Sequence, residues 1–312
     1  MDQPSRTIAD VDTLPDAELE AALGIVLAAP DATRPLSRRQ AAGFRAAVSE
    51  CGIALTCLGR RAAGGWSGLS ATLLLPGATA ILMLPTPGRL GMTAAAMKTV
   101  VAAGLDRLAA RRLHFAQALL EPEAVTKAEL VTALGFSRLS TLVYLECTAR
   151  GVARRVPMPP GARWVSYSRN THPLFSAALE ASYAESLDCP ELSALRPVED
   201  VLASHRAAGP FDPALWQVLM IDDRCAGCAL LSRTPARSAL EVVYVGVAAD
   251  FRRSGIGSVL MSRAFVQARD IGAEAITLAV DERNEPARRL YARFGMIEVR
   301  RRVAYVYRWR TG

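Results

Sequence analysis

The sequence is poor in lysine and histidine, and this shapes the first inferences about its ligand. Lys98 and Lys127 are the only lysines, so arginine supplies almost all of the positive charge behind a formal net charge of +7. Guanidinium groups suit phosphate and so favour an anionic ligand, although arginine-rich usage also follows from genome composition. No segment interleaves basic and aromatic residues, and we therefore expect no nucleic-acid partner.

The chain also lacks a hydrophobic run with the composition of a membrane helix. The stretch 62–88 carries no charge, but a Pro-Gly pair at 76–77 divides it into strand-length pieces, 70–75 and 78–84. Prolines are poorly tolerated inside helices and mark turns. The pattern predicts two buried strands joined by a tight turn, and no membrane partner.

Disulfide and metal frameworks are not indicated either. The six cysteines are scattered, and the first 20 residues are acidic and broken by prolines, unlike a secretory signal. We expect reduced thiols and a cytoplasmic protein. Cys225 and Cys228 have the spacing of a metal-binding pair, but no second pair completes a zinc site, so no metal is expected.

What is present predicts two folded domains. A length of 312 residues with 51% hydrophobic and 21% charged residues excludes a disordered chain. The second half alternates strand and helix patterns in the order β-α-α-β-β-β-α-β-α-β, and the first half repeats this order at an offset of about 160 residues. We predict an α/β fold of two tandem domains, 1–155 and 156–312, each a mixed, mostly antiparallel sheet flanked by helices.

The segment after the valine-rich strand 239–247 carries the strongest chemical signal. Arg252 and Arg253 precede Gly255 and Gly257, which open a long helix. Glycines let a ligand approach the backbone, and the unpaired N–H groups of a first helical turn cradle phosphate oxygens. Arginine side chains add charge-assisted donors. A dinucleotide fingerprint would need a glycine at position 260, which is leucine, and no Walker loop occurs.

The Arg-x-x-Gly-x-Gly pattern at 252–257 resembles the pyrophosphate loop of the GNAT superfamily of N-acetyltransferases. The downstream segment 281–296 resembles the second motif of that superfamily, with Asn284 opening a helix and Leu-Tyr-x-x-Phe-Gly closing it. The resemblance implies direct transfer of acetyl from acetyl-CoA, as co-substrate, to an amine-bearing acceptor. The two-copy plan resembles that of mycothiol synthase, but nothing in the chain specifies mycothiol chemistry.

The resemblance also implies roles for individual residues. Tyr291 matches a general acid that protonates the leaving thiolate, although a packed core tyrosine is the alternative. Glu241 matches a general base, with a solvated acid as the alternative, and strand periodicity predicts that it shares a face with Val245 and Val247. The cofactor-binding residues that the motifs imply are Val245, Gly246, Val247, Arg252, Arg253, Ser254, Gly255, Ile256, Gly257, Ser258, Asn284, Ala287 and Arg288.

Two further expectations concern the acceptor and the first half. The loop carrying Glu185, Asp188 and Glu191 lies where the superfamily lines its acceptor site, so these carboxylates could attract an ammonium or could serve solubility. The first half has no Arg-x-x-Gly-x-Gly pattern, and we expect it to be a packing partner without bound CoA. A non-catalytic acyl-CoA sensor or scaffold is the alternative function, and a monomer or homodimer is expected.

Overall fold

The structure, a computed structural model, describes residues 8–149, 156–193, 195–234 and 238–309. The strands are β1 (Ile8–Asp10), β2 (Ala54–Ala62), β3 (Gly65–Leu75), β4 (Thr79–Met83), β5 (Phe115–Leu120), β6 (Ser137–Thr148), β7 (Ala162–Ser166), β8 (Trp216–Ile221), β9 (Arg224–Thr234), β10 (Ala239–Val247), β11 (Ala275–Asp281) and β12 (Ile297–Tyr307). The helices are α1 (Asp16–Val26), α2 (Arg38–Glu50), α3 (Ala94–Ala109), α4 (Val125–Ala133), α5 (His172–Tyr183), α6 (Pro190–Ser193), α7 (Val198–Arg206), α8 (Ile256–Asp270) and α9 (Glu285–Arg293).

These elements form two compact units. Unit 1 contains the chain up to Leu139 together with the residues from Val303 onward, and unit 2 contains Ser140–Arg302. The predicted boundary at 155/156 concerns the duplicated halves of the sequence rather than these units, and it stays a prediction. Residue 155 itself lies outside the described residues. Among the helices of the described ranges, none is long and apolar enough to cross a membrane.

Unit 1 is built on a mixed sheet in the order β1-β2-β3-β4-β5-β12. Strands β4 and β5 are parallel, and the other paired neighbours are antiparallel. The uncharged stretch forms β3 and β4, which join through a tight turn that pairs Leu75 with Thr79. The prediction of two strands in place of a membrane helix is therefore confirmed. Helices α1, α3 and α4 contribute apolar side chains to one core in this unit.

Unit 2 repeats this plan in the order β7-β8-β9-β10-β11-β6. Strands β10 and β11 are its parallel pair, and the other paired neighbours are antiparallel. Each face of the sheet buries its own core because both faces are covered by helices. Helices α8 and α9 pack on one face, around Phe265 and Leu260, while α5 and α7 pack on the other, around Phe175 and Leu202.

The sixth strand of each unit comes from the other half of the sequence. Strand β12 ends the second half, yet its residues Val303–Tyr307 pair with β5 of unit 1. Strand β6 belongs to the first half, yet its residues 142–148 pair with β11 of unit 2. The predicted tandem mixed sheets are thus present, with their closing strands exchanged.

Candidate functional site

Strands β10 and β11 diverge before they end. Their parallel ladder runs from Ala239 paired with Ala275 to Val242 paired with Leu278. Beyond that point β10 stays on β9 as far as Val247, and β11 stays on β6 as far as its last residue. A slot therefore opens between residues 243–247 and 279–281. An extended ligand can pair with the backbone edge of β10 there, as an added strand does.

A bulge in β10 decides which side chains face each side of this slot. The ladder with β9 shifts register between Val242 and Tyr244. As a result Val242, Val245 and Val247 all pack on the α8 face, whereas Tyr244 packs on the α5 face. The expectation that Glu241 shares a face with Val245 and Val247 is wrong, because one extra residue in a strand reverses the alternation.

Helix α8 begins directly after β10 and presents an open N-terminus. Its N-cap, Gly255, has φ +89° and gives no side-chain cap. The Ser258 N–H donates to the Gly255 carbonyl at 2.9 Å, so the N–H groups of Ile256 and Gly257 are the first-turn donors left for an anion. A Cβ on Gly257 would lie 3.0 Å from Cδ2 of Leu290, which shows how closely this turn packs against α9. Arg253 is exposed beside it, with φ +61°.

The other loop residues predicted to hold the cofactor lie in the same turn. Ser254 is exposed, and its Oγ donates to the carbonyl of Phe251 at 2.5 Å. Ile256 is buried in the α8 core, and Ser258 is half-buried in the first turn of the helix. Gly246 is buried against Ser182 of α5. The structure thus brings the 245–258 residues together, and their contacts with a cofactor stay predictions.

Arg252 makes contacts that the sequence did not suggest. Its guanidinium donates to four backbone carbonyls: Val247 at 3.3 Å, Glu185 at 3.2 Å, Ser182 at 2.9 Å and Ala184 at 2.6 Å. Three of these carbonyls belong to the last turn of α5 and the residues after it. The side chain therefore fastens the end of α5 to the end of β10, and its predicted contact with phosphate stays a prediction.

The start of α9 lies at the end of β11, on the other side of the slot. Oδ1 of Asn284 caps this helix by accepting from the Ala287 N–H at 3.3 Å. Arg288 donates to the carbonyl of Glu282 at 3.3 Å. Ala287 packs against the α8 core. The geometry places all three near the slot, and their predicted contacts with the cofactor arm stay predictions.

Tyr291 is buried on the α8 face of the sheet. Its side chain joins the core there, with 6% of the residue exposed. Burial raises the pKa of its hydroxyl, and the nearby charge of Asp188 raises it further. The phenol therefore stays protonated at neutral pH, which is the state that a general acid requires.

Glu241 lies on the opposite face, next to Thr277 of β11. Burial raises the pKa of its carboxyl, and the charge of Arg300 lowers it in part. Arg300 stacks on Tyr144 of β6, with Cζ 4.4 Å from the ring centroid. The sequence analysis missed Tyr144 and Arg300, because no motif indicates that β6 joins this sheet.

The acidic loop after α5 is engaged with protein groups at the end of β11. Arg283 donates to both carboxylate oxygens of Glu191, at 2.6 and 2.9 Å, and to Asp281 at 2.7 Å. The Asp281 N–H donates to Oδ1 of Asp188 at 2.9 Å. Glu185, the third predicted acceptor residue, is exposed, with φ +54°. The structure thus gives Asp188 and Glu191 partners within the protein.

Asp281 is the buried centre of this cluster, with its side chain 0% exposed. Burial raises its pKa, but hydrogen bonds from Arg283, Ser140 and the Cys189 N–H outweigh burial and hold the pKa at about 2. For Asp188, packing of the carboxylate against protein raises the pKa, although the residue as a whole is exposed. The sequence motif at 281–296 contains Asp281 and Arg283, but the sequence analysis gave them no role.

Unit 1 offers a contrast at the corresponding helix. Thr93 caps the start of α3, and its Oγ1 accepts from the Ala96 N–H at 3.2 Å. A side chain thus covers the start of α3, whereas Gly255 leaves the start of α8 without a side-chain cap. That the first half binds no CoA stays a prediction.

Within the described ranges, no group of three or more His, Cys, Asp or Glu side chains could hold a metal ion.

Comparisons with known proteins agree with this geometry. The family model described as acetyltransferase (GNAT) family matches residues 180–296. A GCN5-related N-acetyltransferase from Sphaerobacter thermophilus superposes with a TM-score of 0.68 at 18% identity, covering 98% of this chain and 96% of that one. A tandem GNAT protein from the clavulanic acid biosynthesis pathway superposes with a TM-score of 0.57 at 15% identity, covering 94% of each chain. No curated protein gives a significant match.

The matched residues contain every feature of the slot. They run from the end of α5 through the diverging strands and the open helix start to the end of α9. At these identities the solved structures show the fold alone, and that fold covers both units. Residues 180–296 therefore match the GNAT acetyltransferase family, and the two-unit fold is similar to that of a tandem GNAT protein.

Proposed function

We propose that the protein is an acetyl-CoA-dependent N-acetyltransferase that transfers acetyl directly to an amine. The observation that carries the proposal is that three features follow one another along the chain. They are the bulge in β10, the slot beside residues 243–247, and the start of α8 without a side-chain cap. Together they supply a backbone edge for an extended arm and a cluster of N–H groups for phosphate.

The residues present fit the co-substrate. The backbone of Val245 and Val247 lies at the edge of β10 that β11 has left, so these residues can pair with the amides of a pantetheine arm. The first turn of α8, with exposed Arg253 beside it, offers donors to a pyrophosphate. Acetyl-CoA, when bound, supplies the acetyl group as an activated thioester.

Glu241 is the proposed general base. It takes the proton that the acceptor ammonium loses, directly or through one water, so that the amine can attack. Burial raises its pKa from the ordinary glutamate value, and a base works best when its pKa approaches the working pH. It lies on the face opposite α8, two positions before the slot begins.

Tyr291 is the proposed general acid, and it packs on the α8 face of the sheet. As the nitrogen–carbon bond forms and the carbon–sulfur bond breaks, it donates a proton to the sulfur, and the second proton that the nitrogen loses returns to the phenolate. The Val245 N–H donates to the thioester carbonyl oxygen, where negative charge develops. The attacking amine and the leaving thiolate lie on different sides of the carbonyl carbon. A base and an acid on opposite faces of the sheet therefore suit a direct transfer.

The proposal includes a cytoplasmic location, where acetyl-CoA is available, and a monomer or homodimer as the working form. The six cysteines are free thiols in the structure, which suits a reducing compartment. The acceptor is left open among small amines, antibiotics, peptide N-termini and protein lysine side chains.

An amine screen tests the proposed function. The intact protein is incubated with acetyl-CoA and, in separate reactions, with a polyamine, an aminoglycoside, an amino acid and a peptide with a free N-terminus. Release of CoA thiol is followed, and the acetylated product is identified by mass spectrometry. We expect thiol release that depends on one class of amine. Binding of acetyl-CoA with no amine-dependent release from any class would favour the non-catalytic sensor.

A further inference from the structure

The loop that follows α5 crosses the open end of the slot. We call residues 184–191 the strap. Val247 and Asp281 are the last residues of the two strands that diverge, so they mark the two sides of that open end. The strap is bonded at both sides, and each side uses a different arginine.

Arg252 holds the first end of the strap at β10. Its guanidinium donates to the carbonyls of Ala184 at 2.6 Å and Glu185 at 3.2 Å, while Nε donates to the carbonyl of Val247 at 3.3 Å. One planar group thus joins the strap to the final residue of β10. Only a guanidinium has donors spread widely enough for this, since an ammonium is a single point.

Arg283 and Asp281 hold the second end of the strap at β11. Arg283 is bidentate to Glu191, with distances of 2.6 and 2.9 Å. Asp281 accepts from the Cys189 N–H at 3.2 Å, and its own N–H donates to Asp188 at 2.9 Å. Four hydrogen bonds therefore fix residues 188–191 to the end of β11.

The strap has strained backbone beside each anchor. Glu185 has φ +54° and Cys189 has φ +45°, a region that residues with side chains rarely adopt. Such conformations persist only where surrounding contacts enforce them, and they cluster at ligand clamps. Here each strained residue is itself bonded to an anchor, Glu185 through its carbonyl and Cys189 through its N–H.

We propose that the strap closes the open end of the slot, that Arg252 and Arg283 are positioning residues that hold it there, and that acyl-CoA binding and strap ordering favour each other. The coupling is reciprocal by linkage, because a ligand that binds beside the ordered strap stabilises it and is stabilised by it. In this arrangement Asp188 and Glu191 hold the strap rather than receive the acceptor ammonium. The inference rests on the proposed function, since it needs acyl-CoA in the slot.

Hydrogen exchange tests the coupling without knowledge of the acceptor. Backbone exchange in peptides covering the strap is measured for the intact protein, with and without saturating CoA, and CoA affinity is measured by calorimetry. We expect CoA to slow strap exchange by about tenfold in the wild type. In Arg252→Gln and Glu191→Gln, strap exchange is faster and CoA no longer slows it, although CoA still binds. Arg289→Gln, an exposed arginine on α9 paired with Glu285, is the matched control and keeps the wild-type response.

Arg252→Lys separates positioning from charge. The lysine keeps the positive charge but cannot reach four carbonyls, so we expect it to behave like Arg252→Gln. Full rescue by lysine would show that Arg252 acts as a charge for the phosphate and would overturn its positioning role. If CoA binds the wild type but does not slow hydrogen exchange in the strap, the coupling is overturned and the proposed function is not. Failure of both acetyl-CoA and CoA to bind the wild type would instead overturn the proposed function, and the strap with it.

Discussion

Glu241 and Tyr291 lie on opposite faces of the sheet of unit 2. Tyr291 joins the core beneath α8, together with Val242 and Val245. Glu241 faces the other way, because it alternates with Val242 and because the bulge lies beyond it. The site therefore has a titratable group on each side of the place where a thioester would lie.

Substitution of Glu241 tests the proposed base. We expect Glu241→Gln to lower kcat by about 100- to 10,000-fold, since a single general base contributes that much. In the wild type, activity should fall as pH drops through the raised pKa of Glu241, because protonation removes the base. That limb of the pH–rate profile should disappear in the variant.

The matched control for this experiment is Glu180→Gln, an exposed glutamate on α5. It should leave kcat and its pH profile unchanged. A loss well under tenfold in Glu241→Gln, or the same acid limb in both proteins, would remove Glu241 from the mechanism.

Substitution of Tyr291 tests the proposed acid. Tyr291→Phe keeps the ring in the core and removes only the hydroxyl, so we expect acetyl-CoA affinity to hold while kcat falls by about 100-fold or more. Steady-state kinetics and calorimetry measure the two quantities. Tyr305→Phe, on β12 in unit 1, is the control. Equal kcat in wild type and Tyr291→Phe would show that the tyrosine is only a packing residue.

His205 predicts an acid sensitivity that is separate from catalysis. Its ring stacks on Tyr244 at 5.4 Å, and Nε2 has no hydrogen-bond partner among the described residues. Burial, aided by the charge of Arg196, lowers its pKa to about 3. Between about pH 6.5 and 3, His205 therefore binds a proton in the unfolded chain but not in the folded chain. The free energy of unfolding falls as pH drops through this window.

Urea unfolding at pH 7.5 and pH 5 measures this effect. The free energy of unfolding should fall with acidification in the wild type and fall less in His205→Phe, which keeps an aromatic ring against Tyr244. His114→Phe, in unit 1, is the control. The same pH dependence in His205→Phe as in the wild type would contradict the prediction.

The pairing of β12 with β5 of unit 1 predicts how the chain responds to truncation. Residues from Val303 onward complete the sheet of unit 1, where Tyr307 packs on Phe136 at 5.4 Å and Trp309 donates to the Leu105 carbonyl at 3.0 Å. Ending the chain at Arg302 should therefore expose β5 and speed hydrogen exchange in unit 1. Exchange in α8 and β10 should change much less. Faster exchange confined to unit 2 would contradict the assignment of the strand.

The sequence predicted those parts of the structure that depend on local pattern. The helix start at Gly255 and Gly257 and the two strands in the stretch 62–88 follow from turn residues and hydrophobic spacing. The exchange of β6 and β12 could not be predicted, because both strands show the same alternation and nothing local specifies which sheet a strand joins.

The errors and gaps at the site have the same origin. The bulge at Val243 reversed the face of Glu241 relative to Val245, and a single extra residue leaves no mark in the alternation of a valine-rich strand. The contacts of Arg252 with Ser182 and Ala184 join residues about 70 positions apart in the chain. Spacing within a motif cannot reveal partners that only the folded chain brings together.

Calorimetric titration of the intact protein with acetyl-CoA, beside Gly257→Asp, tests the central claim most directly. An aspartate in the first turn of α8 places negative charge where the pyrophosphate would bind, whereas Gly43→Asp, on the exposed side of α2, is the control. The account predicts one site per chain in the wild type and in Gly43→Asp, and loss of binding in Gly257→Asp. Absence of binding to the wild type, or unchanged binding in Gly257→Asp, would contradict it.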